Sequence, residues 1–458
     1  MVEFAMDELF VQGKPGVGLL ADPGLGKTAT TLEILSMMRA IGEARRVLIV
    51  APLRVIYSVW PEEIKKWHYP FKYSIGHGTP SERIKALNKC EDIFLINPHN
   101  VAWLSQFDLE NRFDVLIVDE STEFKNWNAR RSRAIRTIVK DIPKRIILTG
   151  TPAPNSLADM FSQVYILDEG ERLGKTVTFF RNEYMRQGGF RGRQWLFKYN
   201  ETKKLERAIA DIIYRLDIND HLSMPEQIFN NVWIDLPTKV RARYQELEND
   251  LFMALDDDGG FLTVENGAAA YSSTRQISNG GIYETDEFTD ERTIHHVHDV
   301  KVDAVQEIVD SLQGKPVLVA FLYQHDLERL LKRFPKTPFV MGGVDAKKSN
   351  KIFADWNEKK IPLLFVQPES AKYGLNLQAA GCSDLIWFGL TDNLLTYDQF
   401  NARIWRQGVR NNVRYHRILA RNTVDEAVLD RIESKDANQT ALLESLKKYR
   451  EGRDERKS

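Results

Sequence analysis

The sequence predicts an α/β protein: two lobes, each built on a parallel sheet, with a helical segment between them. Three observations lead there. Near-continuous Val/Ile/Leu runs of strand length recur in two blocks, helical patterns separate the runs within each block, and the pattern changes in the middle of the chain. Apolar runs without alternation suit strands covered on both faces, as in a doubly wound sheet.

In the first block the runs are VGLLA (Val17–Ala21), VLIVAP (Val47–Pro52), IFLINP (Ile93–Pro98), VLIVDE (Val115–Glu120) and RIILTG (Arg145–Gly150). The second begins near Lys315 with PVLVAFLY, FVMGG, PLLFVQP, DLIWFG and RYHRILA. Helical stretches there cover 324–334 and 348–359, and final helices run over 424–450. Between the blocks, helical patterns occupy Leu205–Leu216 and Lys239–Leu255, and GGFRGRQWLFKY is a hairpin candidate. The segment Asp256–Asp290, rich in Asp, Gly, Ser and Asn, reads as partly flexible. The expected division is 1–153, 154–300 and 301–458.

A chain of 458 residues is too long for one core. Its 43% hydrophobic and 28% charged content is that of an ordinary globular protein. No apolar run reaches membrane-spanning length, and the N-terminus lacks a charged-then-apolar leader pattern. Only Cys90 and Cys382 are present, which excludes a disulfide framework and fits a reducing compartment. The net charge of −1 excludes a uniformly basic surface, yet charge is unevenly placed. From Glu123 to Arg145 eight Lys/Arg meet two acidic residues, and from Arg172 to Arg207 ten meet three, whereas Glu246–Asp258 and Glu284–Glu291 are acidic. A basic groove on acidic ground would suit nucleic acid; solvated helix faces are the plainer account.

ADPGLGKTATTLEIL (Ala21–Leu35) joins an apolar run to a helical pattern and reads as a phosphate cradle. Gly24, Leu25 and Gly26 would curl the backbone so that successive N–H groups face one anion. Lys27 would reach the β/γ-phosphates and Thr28 would ligate Mg²⁺. Ala21 stands where the usual pattern has Gly. Asp119 and Glu120 end a strand, where one carboxylate would hold the metal and the other polarise an attacking water; a surface cap is the bland alternative. Thr149-Gly150-Thr151 forms a turn of small hydroxyl residues, able to bridge loops or simply to bond its own backbone. Arg403 and Arg406 are three apart, which on a helix places both on one face. Such guanidinium groups act either as a solvated face or as arginine fingers, which are worth about 10³- to 10⁵-fold in rate. Arg172–Arg207 interleaves basic residues, among them Arg191 and Arg193, with aromatic ones, a pattern for stacking bases or tracking phosphates, or for a small local core. His295, His296 and His298 lack accompanying ligand spacing and read as a linker strand.

Taken in order, ADPGLGKT, APLRVIYSVW, VDES, LTGTP, GLNLQ and QFNARIWRQG resemble the motifs of Swi/Snf-like ATPases of helicase superfamily two, in their compact phage and bacterial form. The resemblance covers nearly the whole chain. It implies two RecA-like lobes that clamp ATP, with nucleic acid across both. Carried over by position, Lys27 and Thr28 match the phosphate and Mg²⁺ residues, and Asp119 and Glu120 the metal and catalytic carboxylates. Thr149, Gly150 and Thr151 match the coupling turn; Gln399, Arg403 and Arg406 match the final motif, with Arg406 as finger. Pro52 and Arg54 match a loop that contacts the nucleic-acid backbone, and Gln378 lies next to its counterpart in the second lobe. Family members carry an adenine-reading Gln upstream of the segment resembling VEFAMDELF; Met1 falls inside that region, so either the chain starts late or adenine selectivity is relaxed. The implied function is an ATP- and Mg²⁺-dependent motor on double-stranded DNA, working in the bacterial or phage-infected cytoplasm with no membrane role. Its partner would be a replication or recombination protein. A strand-separating DNA or RNA helicase and a non-hydrolysing scaffold are the competing readings.

Overall fold

The apolar runs become strands because their side chains are buried on both faces of a sheet, as in VLIV of Val47–Val50 and IFLI of Ile93–Ile96. The computed structural model describes residues 1–434 apart from 151–156, 189–193, 200, 219–222, 257–264, 286–291 and 372–376. Thr151, Arg191, Arg193 and the Gly374–Asn376 stretch therefore lie outside the described residues, as does 435–450 of the expected final helices.

The chain forms two compact units, Met1–Ser223 and Met224–Ser458. In the first, β1 (Gly16–Ala21), β2 (Val47–Val50), β3 (Tyr73–Gly76), β4 (Ile93–Ile96), β5 (Val115–Asp119) and β6 (Lys144–Thr149) are followed by an antiparallel pair, β7 (Met185–Gly188) and β8 (Gln194–Phe197), and by β9 (Ile213–Leu216). All strands but the β7–β8 pair join one parallel sheet of order β3-β4-β2-β5-β6-β1-β9. The second unit contains β10 (Gln227–Ile234), an antiparallel pair β11 (Gly281–Thr285) and β12 (Arg292–His296), then β13 (Val317–Ala320), β14 (Phe339–Val340), β15 (Leu363–Val366), β16 (Asp384–Trp387) and β17 (Val413–Ala420). Its parallel sheet has the order β10-β17-β16-β13-β15-β14.

Every expected apolar run forms a strand, and the structure adds four that the sequence reading did not anticipate, β3, β9, β10 and β11. β3 alternates in burial, and β9 and most of β10 are only partly buried. The helical stretch expected over Leu205–Leu216 ends at Ile209, and its last residues pair with β1. Gly18 makes that pairing close: a Cβ there would lie 2.5 Å from Ile213 Cδ1. The expected boundaries at 153 and 300 give way to one near 223, because β9 completes the first sheet and β10 opens the second.

The Glu265–Asn279 helix occupies part of the segment expected to be flexible. Its small polar residues have buried partners instead of solvent. Ser278 Oγ donates to Asp425 Oδ1 at 2.9 Å, and the fully buried Lys301 donates to Asp425 Oδ2 at 2.7 Å and to Asn279 Oδ1 at 2.9 Å. Arg329 Nη2 donates to Asn279 O at 2.7 Å and Asp326 Oδ1 at 3.1 Å. Buried charge is tolerated only when paired and hydrogen-bonded in this way. The linker-strand expectation for the histidines holds in β12, where His295 Nε2 meets Glu284 Oε2 at 2.6 Å. Among the described residues no helix is long and apolar enough to cross a membrane.

His298, just beyond β12, is buried and donates from Nε2 to Ile277 O at 2.9 Å. Burial first, then the charges of Arg329 and Lys301, hold its pKa down to about 4 from 6.5, against the opposing pull of the Ile277 bond. The unfolded chain therefore binds a proton that the native state refuses between these values. The stability this contributes is complete above pH 6.5 and is lost as pH falls toward 4. Between pH 7.5 and 4.5, denaturant unfolding should show a loss roughly 2–3 kcal/mol larger for the native sequence than for His298→Gln. Equal losses would remove His298 from the acid response.

Candidate nucleotide site at the strand ends of the first unit

β1 runs into a tight loop that opens the Lys27–Ala40 helix. Gly24 and Gly26 adopt φ of +93° and +74°, a left-handed conformation that disfavours other residues. A Cβ at Gly26 would meet nothing within 4 Å, so backbone conformation and not crowding calls for glycine there. The helix starts without a side-chain cap, presenting the kind of terminus at which anions bind. Lys27 Nζ donates to the loop carbonyls of Ala21 at 2.5 Å and Asp22 at 3.2 Å. Asp22 anchors the loop to β9: its N–H donates to Leu216 O at 3.1 Å, and its Oδ2 accepts from Ile218 N–H at 3.0 Å.

Two strands away in the sheet, β5 ends in Asp119, and Glu120 follows with φ 56° and ψ 56°. A non-glycine residue held left-handed costs about 1–2 kcal/mol, and such strain concentrates at functional positions. It turns the chain sharply from β5 into the Ser121–Phe124 turn. Asp119 is buried, and its Oδ2 accepts from the indole Nε1–H of the fully buried Trp60 at 3.1 Å. Burial pushes the Asp119 carboxyl above its usual range, while the charge of Lys27 and the Trp60 bond oppose that rise. Ser121 donates to Gln163 Oε1 at 2.6 Å, fixing the turn to the Met160–Asp168 helix.

β6 lies between β5 and β1, and its terminal Thr149 is fully buried. A Cβ on Gly150 would lie 3.0 Å from Pro23 Cδ and 3.5 Å from Ala21 O, so this turn packs directly on the phosphate loop. Pro52 is the N-cap of the Leu53–Tyr57 helix just beyond β2, and Arg54 lies in its first turn. The described motif residues of this unit thus leave four adjacent strands, β2, β5, β6 and β1, at one edge.

In the second unit, Gln399 is buried on the Leu394–Asn401 helix that follows β16. Arg403 and Arg406 do not share a helix face as the spacing predicted. The helix stops at Asn401, where Arg403 N–H closes on Phe400 O at 3.0 Å and Ile404 N–H on Asn401 O at 3.2 Å, three-residue bonds that tighten the chain into turns. The two guanidinium groups are nevertheless neighbours. Burial, and then the charge of Arg403, push Arg406 down to about 10. Gln378 lines a cavity of about 460 Å³ with Lys359, Ser383 and Arg410, at the amino ends of the strands, the opposite edge from the loop leading to Gln399.

The first unit's residues fit a nucleotide's phosphates with a divalent cation. A left-handed glycine loop, an uncapped helix terminus and a cation on the loop are matched by a buried carboxylate beside them. Among the described residues no cluster of three His, Cys, Asp or Glu could hold a metal unaided. Sequence reasoning missed Trp60, Asp22 and Gln163. Trp60 sits inside the motif-like APLRVIYSVW, but no pattern in the sequence marks its partner.

The SNF2-related domain family matches residues 9–281, and the helicase conserved C-terminal domain matches 300–408. The chain is 36% identical over 446 residues to "Putative protein p41" of Acyrthosiphon pisum secondary endosymbiont phage 1, covering 93% of this chain and 94% of that protein. It is 23% identical to "Putative ATP-dependent helicase/translocase YwqA" of Bacillus subtilis (strain 168), over 97% of this chain but only 48% of that one, about half its length. The SWI2/SNF2 ATPase core of Sulfolobus solfataricus, solved in complex with dsDNA, aligns over 97% of this chain and 95% of that one with 20% identity and a TM-score of 0.45. The chain belongs to the SNF2 family of ATP-dependent helicases and translocases. As a member it is an ATPase.

Gly150→Ala would press a methyl group on the Pro23 ring and displace the phosphate loop. Overpacking of this kind should weaken binding of a fluorescent ATP analogue by about ten-fold. The thermal midpoint should stay within a few degrees of the native sequence. Unchanged affinity would exclude the turn from the nucleotide site.

Proposed function

We propose that the chain is an ATP-driven translocase on double-stranded DNA. Lys27 binds the β/γ-phosphates, Glu120 orients the attacking water, and Arg403 and Arg406 supply positive charge to the γ-phosphate during hydrolysis. Thr28 and Asp119 are the residues that would hold Mg²⁺, which neutralises charge on the phosphate oxygens. Thr149, Gly150 and Thr151 link the carboxylate loop to the phosphate loop. Gln399 orients the arginine segment, and Pro52 and Arg54 grip the nucleic-acid backbone, with Arg191, Arg193 and Gln378 as further contacts. The observation that carries this reading is the exit of the phosphate loop, the Asp119–Glu120 turn, the Thr149–Gly150 turn and the Arg54 helix from four neighbouring strands. The translocase named among the relatives supports the motor class. Phosphate contacts carry no sequence information, so choice of target falls to a partner, on this reading a replication or recombination protein.

Steady-state ATPase with duplex DNA, single-stranded DNA and RNA tests the proposal. Duplex DNA should stimulate most, and the stimulation should decline steeply between about 50 and 200 mM salt. The enzyme should displace a triplex strand without unwinding a fork; the reverse result would make it a strand-separating helicase. Lys27→Ala and Glu120→Gln should both abolish turnover, with Glu120→Gln still binding nucleotide. Arg406→Ala should lose about 10³-fold in turnover with little change in ATP affinity. Near-normal turnover in Arg406→Ala would sink the finger assignment.

A further inference from the structure

The Leu53–Tyr57 and Val59–Lys66 helices follow one another as a jointed rod with Ser58 alone between them. Ser58 joins them: its N–H and Oγ both donate to Arg54 O, at 3.0 and 2.8 Å, and its own carbonyl accepts from Glu62 N–H at 2.9 Å. Arg54 lies at one end of this rod. Six residues on, about 9 Å along a helix axis, Trp60 donates its indole N–H to Asp119. The indole is fully buried, so it cannot swing aside when the rod moves. The Val59–Lys66 helix also packs on the Lys27–Ala40 helix, and Tyr69 just beyond it donates to Glu33 on that helix. The rod is therefore seated against the element that opens at the phosphate loop.

We propose that Trp60 is a positioning residue through which nucleic acid held at Pro52 and Arg54 sets the orientation of the Asp119 carboxylate, and so stimulates ATP hydrolysis. The inference rests on the reading given under Proposed function. A phosphate backbone gripping Arg54 shifts the start of the rod; Ser58 passes the shift across the joint; Trp60 fixes Asp119 Oδ2 and hence the turn of the carboxylate about its Cβ–Cγ bond. Coupling of this kind is reciprocal, so nucleic acid and divalent cation must each alter the other's binding.

Trp60→Phe keeps an aromatic ring at this site, smaller than the indole, and deletes the donor. The ratio of duplex-stimulated to basal ATPase should fall at least about five-fold from the wild-type ratio. Affinity for a fluorescent duplex should stay within about two-fold. In the wild type, duplex DNA should shift the Mg²⁺ concentration that half-saturates binding of a fluorescent ADP; in Trp60→Phe that shift should vanish. Trp67→Phe is the control, since the exposed Trp67 lies at the end of the same rod but donates to half-buried Glu63 at 2.6 Å. It should keep the wild-type ratio. Ser58→Gly loosens the joint without touching Arg54 or Trp60 side chains and should also lower the ratio, which decides the matter if Trp60→Phe does not fold. A wild-type ratio in a folded Trp60→Phe, or in Ser58→Gly where it must stand in, overturns the coupling, as does a parallel loss of duplex affinity. A wild-type enzyme that no nucleic acid stimulates overturns the parent reading instead.

Discussion

Parallel pairing of β2, β5, β6 and β1 is the constraint on which the site depends. Registers place Leu19 and Asp119 both opposite Leu148, and Val50 opposite Val118. Adjacent strands lie about 4.8 Å apart, so four loops emerge within about 15 Å of one another at a common level. The chemistry of each loop is local, but their assembly is a property of the sheet. Burial on both faces gives that sheet its authority. A register shift in any central strand would take Val, Ile and Leu side chains out of a closed core and carry a motif residue with them.

Both units hold charge against its own inclination. In the first, burial drives Asp119 toward protonation, and Lys27, Trp60 and the Glu120 backbone N–H resist. In the second, burial and Arg403 drive Arg406 toward neutrality. Structural ion pairs elsewhere in the second unit show the opposite balance: Asp384, held by Arg414 at 2.6 Å and His416 at 3.0 Å, stays below the usual carboxylate range although burial works against it.

How far the sequence disclosed this arrangement follows from where each signal originates. Central strands were legible because double burial writes itself as uninterrupted Val/Ile/Leu. β9 and β10 were not, since edge strands carry mixed residues such as IYRL and QIFNNVWI whose strand character comes from the neighbour they pair with. The Glu265–Asn279 helix was hidden because Ser278 and Asn279 look like loop residues until Lys301, Asp425 and Arg329 are seen around them. Lys27, Asp119 and Glu120 were readable from local chemistry beside a strand end. Trp60 was not, because its partner lies 59 residues away and is brought near only by the order of strands.

β9 and β10 also illustrate how connectivity loads particular contacts. Leu216 ends an edge strand hydrogen-bonded to β1, and Gln227 begins an edge strand hydrogen-bonded to β17. The covalent chain between the units therefore enters the first at a strand that pairs with the phosphate-loop strand, and Ile218 on that path donates to Asp22 of the loop itself. The side chains of β9 are only partly buried, so its hold on β1 rests more on backbone bonds, such as Gly18 N–H to Ile212 O at 2.7 Å, than on core packing. Edge pairing with little buried surface is among the first structure to open locally. A partly buried edge strand of the first sheet is thus tied to the root of the nucleotide loop.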